Sequence, residues 1–250
     1  MSKQVSLGEM CVHLAKLFGN RNALYLPGIQ ERIGFLMIGA RGIEDAIEEE
    51  VRSPECGVAL ASLFGRICAM VEHFQVISLS ETMSQKYPLQ GCGYCGQRAC
   101  NCAEGKLQDH QLSPVSAIKL DWGIEHWKKH VDLVYGHTNH HRGIDVALRR
   151  LCSEIIEIQT LWMITTHSER GYDQQNLRQM YACELADTFA WVTVIASLLH
   201  INLEEAVVSL YGLPETPCHK CEELPCGCGP FNMSERRLVL SADSADSVSN

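Results

Sequence analysis

Between Val146 and Met163 the apolar residues fall at 146, 148, 151, 155, 156, 158, 161 and 162, with no glycine or proline inside the stretch. Spacings of three and four put them on one stripe of an α-helix. From Leu177 to Leu199 the chain runs through Ala, Leu, Met, Trp and Val without a breaker. Its last turns are apolar nearly all round, as expected of a helix packed on every side. Asn202 predicts a cap for a short helix over Leu203 to Leu210, with Glu204 and Glu205 at its positive end. Gln30 to Ala40 and Val58 to Phe74 occupy the corresponding places earlier in the chain. Strand-like alternation is sparse, so the pattern predicts an all-α bundle.

The correspondence between early and late segments has a ruler. Cys92, Cys95, Cys100 and Cys102 repeat as Cys218, Cys221, Cys226 and Cys228, both in the pattern C-x2-C-x4-C-x-C and displaced by 126 positions (218 − 92). Ile77-Ser-Leu79-Ser-Glu81 ending at Tyr87 repeats as Ile201-Asn-Leu203-Glu-Glu205 ending at Tyr211, displaced by 124 (211 − 87). Phe18-Gly19-Asn20-Arg21-Asn22 resembles Tyr135-Gly136-His137-Thr138-Asn139 in the same order. The chain is therefore read as a tandem duplication, with halves at 1–105 and 125–229. A linker at 106–124 contains the helix stop Ser113-Pro114, and 230–250 is a small polar tail expected to be disordered.

Thirteen cysteines accompany an N-terminus without a signal-peptide core and no ~20-residue apolar span. In a reducing compartment clustered cysteines hold metal, which points to a cytoplasmic protein with one structural Zn²⁺ in each four-cysteine knuckle. Disulfides and an iron–sulfur cluster are the alternatives. Cys11, Cys56, Cys68, Cys152 and Cys183 stand among apolar neighbours and are read as core residues. The hydrophobic fraction of 46% over 250 residues suffices for one large or two small domains. A net charge of -9, with no basic run longer than two residues, argues against a nucleic-acid surface.

Chemistry enters with Glu154-Ile-Ile-Glu157 and Glu184-Leu-Ala-Asp187. Residues three apart share a helix face, so two such pairs on neighbouring helices bring four carboxylates around one point. Isoleucine, leucine and alanine between them mark buried surroundings, where four like charges require a hard cation, Mg²⁺ or Mn²⁺. The solvated-face reading of either pair alone is weakened by their combination just before a knuckle.

These residues resemble the MazG-like all-α nucleoside triphosphate pyrophosphohydrolases, whose signature is E-x-x-E, a gap, then E-x-x-D. Glu154, Glu157, Glu184 and Asp187 stand at the four positions. Glu184 through Trp191, Ile201-Asn-Leu203-Glu-Glu205-Ala206 and Tyr211-Gly212 look like the branch with a C-terminal cysteine knuckle. The likeness covers about 130–229 directly, and the first half only through the duplication. It implies four-helix halves, Mg²⁺ held by the four acids, and cleavage of a (d)NTP to a (d)NMP and pyrophosphate. Members often carry a lysine or asparagine in the helix after E-x-x-D. Residues 204–211 (EEAVVSLY) offer neither, which shifts the expected phosphate contacts to earlier basic residues.

Moving the quartet back by 124 lands on Gln30, Ile33, Leu60 and Leu63, none of them acidic. The first half is thus expected to be a silent scaffold, and its acidic run from Glu44 to Glu50 a solvated face. Substrate-binding candidates are Lys129, Asn139, Arg149, Arg150, Arg170 and Trp191, with Lys128, His137, His140, His141, Arg142 and Arg178 nearby in sequence. The histidine-rich turn reads as a surface loop or cap ahead of a metal site, and Trp191 as core packing ahead of a base platform. The competing function is a catalytically weak nucleotide-sensing or protein-interaction module. Expected partners are a nucleoside triphosphate and no membrane, the chain acting alone or pairing again as a homodimer of pseudo-dimers.

Overall fold

The computed structural model describes residues 5–48, 53–76, 78–93, 95–100, 102, 119–167 and 173–228. Among these the chain is all α, with eight helices and no strand: α1 (Leu7–Tyr25), α2 (Ile29–Glu48), α3 (Ser53–His73), α4 (Leu79–Lys86), α5 (Ile124–Arg142), α6 (Ile144–His167), α7 (Gln174–Leu198) and α8 (Leu203–Tyr211). Most of the linker and the whole tail fall outside the described residues.

Local chemistry sets the helix starts. Ser6 and Glu9 form a reciprocal capping box at α1. Ser78, Asp173 and Asn202 cap α4, α7 and α8, each side chain accepting from a backbone N–H three residues on. A single residue, Gly143, separates α5 from α6 at φ 78, a left-handed turn that suits glycine. The stretches expected at 146–163, 177–199 and 203–210 match α6, α7 and α8 to within a residue or lie inside them. Those at 30–40 and 58–74 fall in α2 and α3, with α2 running on to Glu48. The pattern had not singled out α1 or α5. His137 to His141 stand within the last turns of α5 rather than in a loop. Arg41 on α2 pairs with Glu44 and Asp45 at 2.8 Å, as a solvated face does, while Glu49 and Glu50 lie outside the described residues.

Two windows, Pro54–His73 and Gln174–Leu198, are long and apolar enough to cross a membrane by composition, but 78% and 67% of them are buried in the protein. They are its central helices: α3 packs on α7, with the rings of Phe64 and Phe189 5.6 Å apart, inside a core that runs through both halves. Burial of both apolar faces explains why α7 shows so little amphipathic contrast.

Beyond these central hairpins the chain changes sides. α4 packs on α7, and α8 packs on α3. Cys100 N–H donates to the Val134 carbonyl of α5 at 2.7 Å, and Cys226 N–H donates to the Leu17 carbonyl of α1 at 2.8 Å. His130 of α5 donates to the Tyr87 carbonyl at 3.0 Å, and His13 of α1 to the Tyr211 carbonyl at 3.3 Å. Each half lends its short helix and knuckle to the other.

These matched bonds also fix the register. The first helices are displaced by 117 (130 − 13). Arg32 N–H to the Gly28 carbonyl matches Ala147 N–H to that of Gly143, a displacement of 115 for α2 and α6. Val76 N–H to the Val71 carbonyl matches Ile201 N–H to that of Ala196, a displacement of 125 for α3 and α7. Val76, not Ile77, therefore takes the place of Ile201. The change from 115 to 125 has a plain cause. α6 and α7 have 24 and 25 residues where α2 and α3 have 20 and 21, about one extra turn each, and the loop between them is also longer. One constant displacement fails across these insertions.

Candidate metal centres

In each knuckle the four sulfurs lie within 4.8 Å of one another. Cys92 and Cys102 Sγ are 3.8 Å apart, Cys218 and Cys228 are 3.9 Å apart, and Cys221 and Cys226 are 3.8 Å apart. A disulfide requires about 2.05 Å. Zn–S bonds of about 2.3 Å in a tetrahedron require sulfurs about 3.8 Å apart. Both clusters therefore fit one tetrahedral ion such as zinc. A multi-iron cluster needs a wider cage. Gly227 N–H points at Cys221 Sγ at 3.4 Å, and Cys102 N–H at Cys100 Sγ at 3.5 Å, bonds that favour thiolates. Burial and then the neighbouring sulfurs push the Cys228 thiol up to about 12, and a dication reverses that cost by binding the thiolates. Of the other cysteines, Cys11, Cys56 and Cys68 are buried, whereas Cys152 and Cys183 are half-buried.

The second kind of centre lies between α6 and α7. Glu154, Glu157 and Glu184 each offer an oxygen, all within 4.8 Å of one another. Trp191 Nε1 donates to Glu154 Oε1 at 3.2 Å, and Ser153 Oγ to Glu157 Oε1 at 3.5 Å. The fourth acid is engaged differently. Asp187 Oδ1 accepts from the Tyr87 hydroxyl at 2.7 Å, and Oδ2 is bound by the Lys86 ammonium. Lys86 also donates to the Cys183 carbonyl at 3.2 Å, and only 3% of its side chain is exposed. The structure thus gathers three of the four expected carboxylates and ties the fourth to a buried cation from the other half.

The electrostatics follow from this crowding. Burial first, and then the charges of Asp187, Glu157 and Glu184, push Glu154 up to about 8. Burial pushes Glu184 up to about 7, with Lys86 pulling down and Asp187 and Glu157 pushing up. Burial and Asp187 hold the Tyr87 phenol well above its ordinary range, so it remains a donor. Starting from an ordinary value of 4.5, the folded state binds more protons than the unfolded chain until about pH 8. Stability of the cation-free acidic site therefore falls as pH rises from about 5 to about 8. Thermal midpoints measured across that range should decline in the wild type, with a shallower slope in Glu154→Gln.

Among the described residues, Trp191, Ser153, Lys86 and Tyr87 are the side-chain hydrogen-bond partners of the four acids. Trp191 thus packs against the core and also holds the Glu154 carboxylate in place. None of the other substrate-binding candidates is among those partners. Lys129 and Arg149 are exposed, Arg150 is half-buried on α6, Asn139 is buried near the end of α5, and Arg170 lies outside the described residues. Lys128 is spent on Glu125 and the Ile201 carbonyl, His140 pairs with Asp132, and Arg178 donates to Gln75.

The counterpart of the acidic site needs correction. The observed registers place Gly39, Gly42, Ala59 and Ser62 opposite Glu154, Glu157, Glu184 and Asp187, not Gln30, Ile33, Leu60 and Leu63. The absence of acids there stands. Arg66 occupies the position of Trp191, stacked at 3.8 Å on Phe35 and bonded to its carbonyl, and a Cβ on Gly39 would meet it at 3.0 Å.

Lys86 and Tyr87 escaped the sequence reading because the lysine was sought after E-x-x-D in the same half. The usable signal was the repeat itself: Lys86 and Tyr87 align with Leu210 and Tyr211 at a displacement of 124. The half with the acids lacks the lysine, and the half with the lysine lacks the acids. No family model, curated protein or solved structure matches the chain. The molecule stands as an all-α protein with two four-cysteine clusters able to hold zinc.

Proposed function

We propose that the chain is a Mg²⁺- or Mn²⁺-dependent nucleoside triphosphate pyrophosphohydrolase of the MazG-like kind, splitting a (d)NTP into a (d)NMP and pyrophosphate. The observation that carries this reading is the convergence of Glu154, Glu157 and Glu184 beside an Asp187 paired with a buried lysine. Carboxylates brought this close suit a hard dication, which neutralises several of them at once. Such an ion would supply charge neutralisation at the phosphates and make the attacking water more acidic.

The chain's own residues supply the rest. Glu154, Glu157 and Glu184 would hold the cation, with Trp191 N–H fixing the orientation of Glu154. Lys86 would hold positive charge at Asp187, beside the carboxylates that face the triphosphate. In the overall step water adds to a phosphorus, the bond to the pyrophosphate oxygen breaks, and the water's proton is taken by a carboxylate. Complementary loss supports one composite site per chain: acids survive in one half and the lysine in the other, and the exchanged α4 brings them together.

One observation favours a second reading, a nucleotide-sensing module. Asp187 is fully engaged by Lys86 and Tyr87. The two readings separate in an assay of a panel of NTPs and dNTPs with Mg²⁺, measuring pyrophosphate. Release from at least one nucleotide supports the enzyme. Tight nucleotide binding with no turnover of any member favours the module.

A further inference from the structure

We propose that the first knuckle, acting through Tyr135 and Tyr87, sets the position of Asp187 and thereby the cation affinity of the acidic site, and that the second knuckle has no such role. This rests on the reading that the acids hold a divalent cation, though not on any nucleotide being a substrate.

The path is continuous. Tyr87 directly follows the last residue of α4 and leads through the Pro88–Gly91 turn into Cys92, with Gly91 N–H donating to the Pro88 carbonyl at 3.1 Å. The Tyr135 ring packs on Cys92, Cys100 and Val134, and its hydroxyl lies close to the Cys92 thiol and the Gly93 backbone. The same ring meets Tyr87 edge-on, with centroids 6.0 Å apart. Tyr87 in turn donates to Asp187 Oδ1 at 2.7 Å, and its neighbour Lys86 binds Oδ2. A knuckle folded around its ion therefore presses on the ring that holds the donor on which Asp187 depends. Partners one bond removed from a metal's ligands govern both ligand orientation and affinity.

The molecule contains its own control. The second knuckle makes the matched contacts, Cys226 N–H to the Leu17 carbonyl and Tyr211 against Phe18 with centroids 5.5 Å apart. That path leads to Leu210 and to Tyr211, whose hydroxyl would lie 2.6 Å from a Cβ on Gly65. Ser62 stands there where Asp187 stands on the other side. Equal structural roles thus lead to unequal chemical ends.

The test uses the full chain and Mn²⁺ alone, with free Mn²⁺ followed by electron paramagnetic resonance and zinc content measured in parallel. Cys95→Ser and Cys221→Ser remove matched ligands from the two knuckles. Cys95→Ser should weaken Mn²⁺ binding about tenfold. Cys221→Ser should change it by less than about twofold, as distant independent sites do. Equal weakening by both, or an unchanged affinity in Cys95→Ser that has lost its zinc, overturns the proposal.

If loss of a ligand unfolds the chain, Tyr135→Phe and Tyr87→Phe decide, because both keep every cysteine. Each should retain two zinc ions and still bind Mn²⁺ several-fold more weakly; wild-type affinity in both overturns the proposal. So does a wild type that binds no Mn²⁺ at the acids. A protein that shows the asymmetry yet hydrolyses no nucleotide keeps this inference and loses the pyrophosphohydrolase reading.

Discussion

Lys86→Met should separate cation binding from turnover. Lysine and methionine are similar in length, so the buried stem keeps most of its packing on α7 while the charge disappears. Four carboxylates then face the site without a protein cation beside Asp187. Mn²⁺ should bind as tightly as before, or more tightly, because the ion no longer competes with the ammonium. Pyrophosphate release should fall by about 10²–10³-fold, the usual loss when one donor to developing charge is removed. A purely structural lysine would give the opposite pattern, with weaker Mn²⁺ binding and a loss of activity that follows the loss of fold. Mn²⁺ titration and pyrophosphate release on the same preparation distinguish these results.

Glu154→Gln should remove activity by a still larger factor, about 10³-fold or more, while leaving the metal-free protein folded and more stable near pH 8. The amide keeps an oxygen for the Trp191 N–H, so the local hydrogen bond at 3.2 Å survives. What disappears is a charge that burial and three neighbouring carboxylates oppose. Loss of function with gain of stability is the expected signature of a group held for a cation rather than for the fold. Asp187→Asn should also lose turnover, but without the gain, because it leaves the Lys86 ammonium buried beside a neutral partner. Thermal midpoints at pH 8 and steady-state rates check both variants. A Glu154→Gln protein that remains active removes the acidic site from the chemistry.

Much of this was legible in the sequence because the signals were local. Periodicity marked α6, α7 and α8, since stripe and cap lie within a few turns of chain. Cysteine spacing marked both knuckles, since tight turns alone bring those thiols together. Glu154, Glu157 and Glu184 converge because three-residue spacing and one helix–helix packing suffice. The exchange of α4 and α8 between halves was not legible, because nothing local to Lys86 or Leu210 records which hairpin each will meet. The constant displacement failed for a related reason. Loops and an added turn in each of α6 and α7 shift the register without disturbing either repeat. Both omissions come from long-range packing, and together they concealed the lysine that pairs with Asp187.

The most direct measurement is anomalous scattering from Mn²⁺ in crystals of the full chain with a non-hydrolysable nucleoside triphosphate. The expected result is Mn²⁺ among the oxygens of Glu154, Glu157 and Glu184, with the triphosphate bound beside it, and no manganese beside Gly39, Gly42, Ala59 and Ser62. Manganese held by acids of the first half, or none between α6 and α7 with the nucleotide bound elsewhere, would contradict a single acidic centre built from both halves.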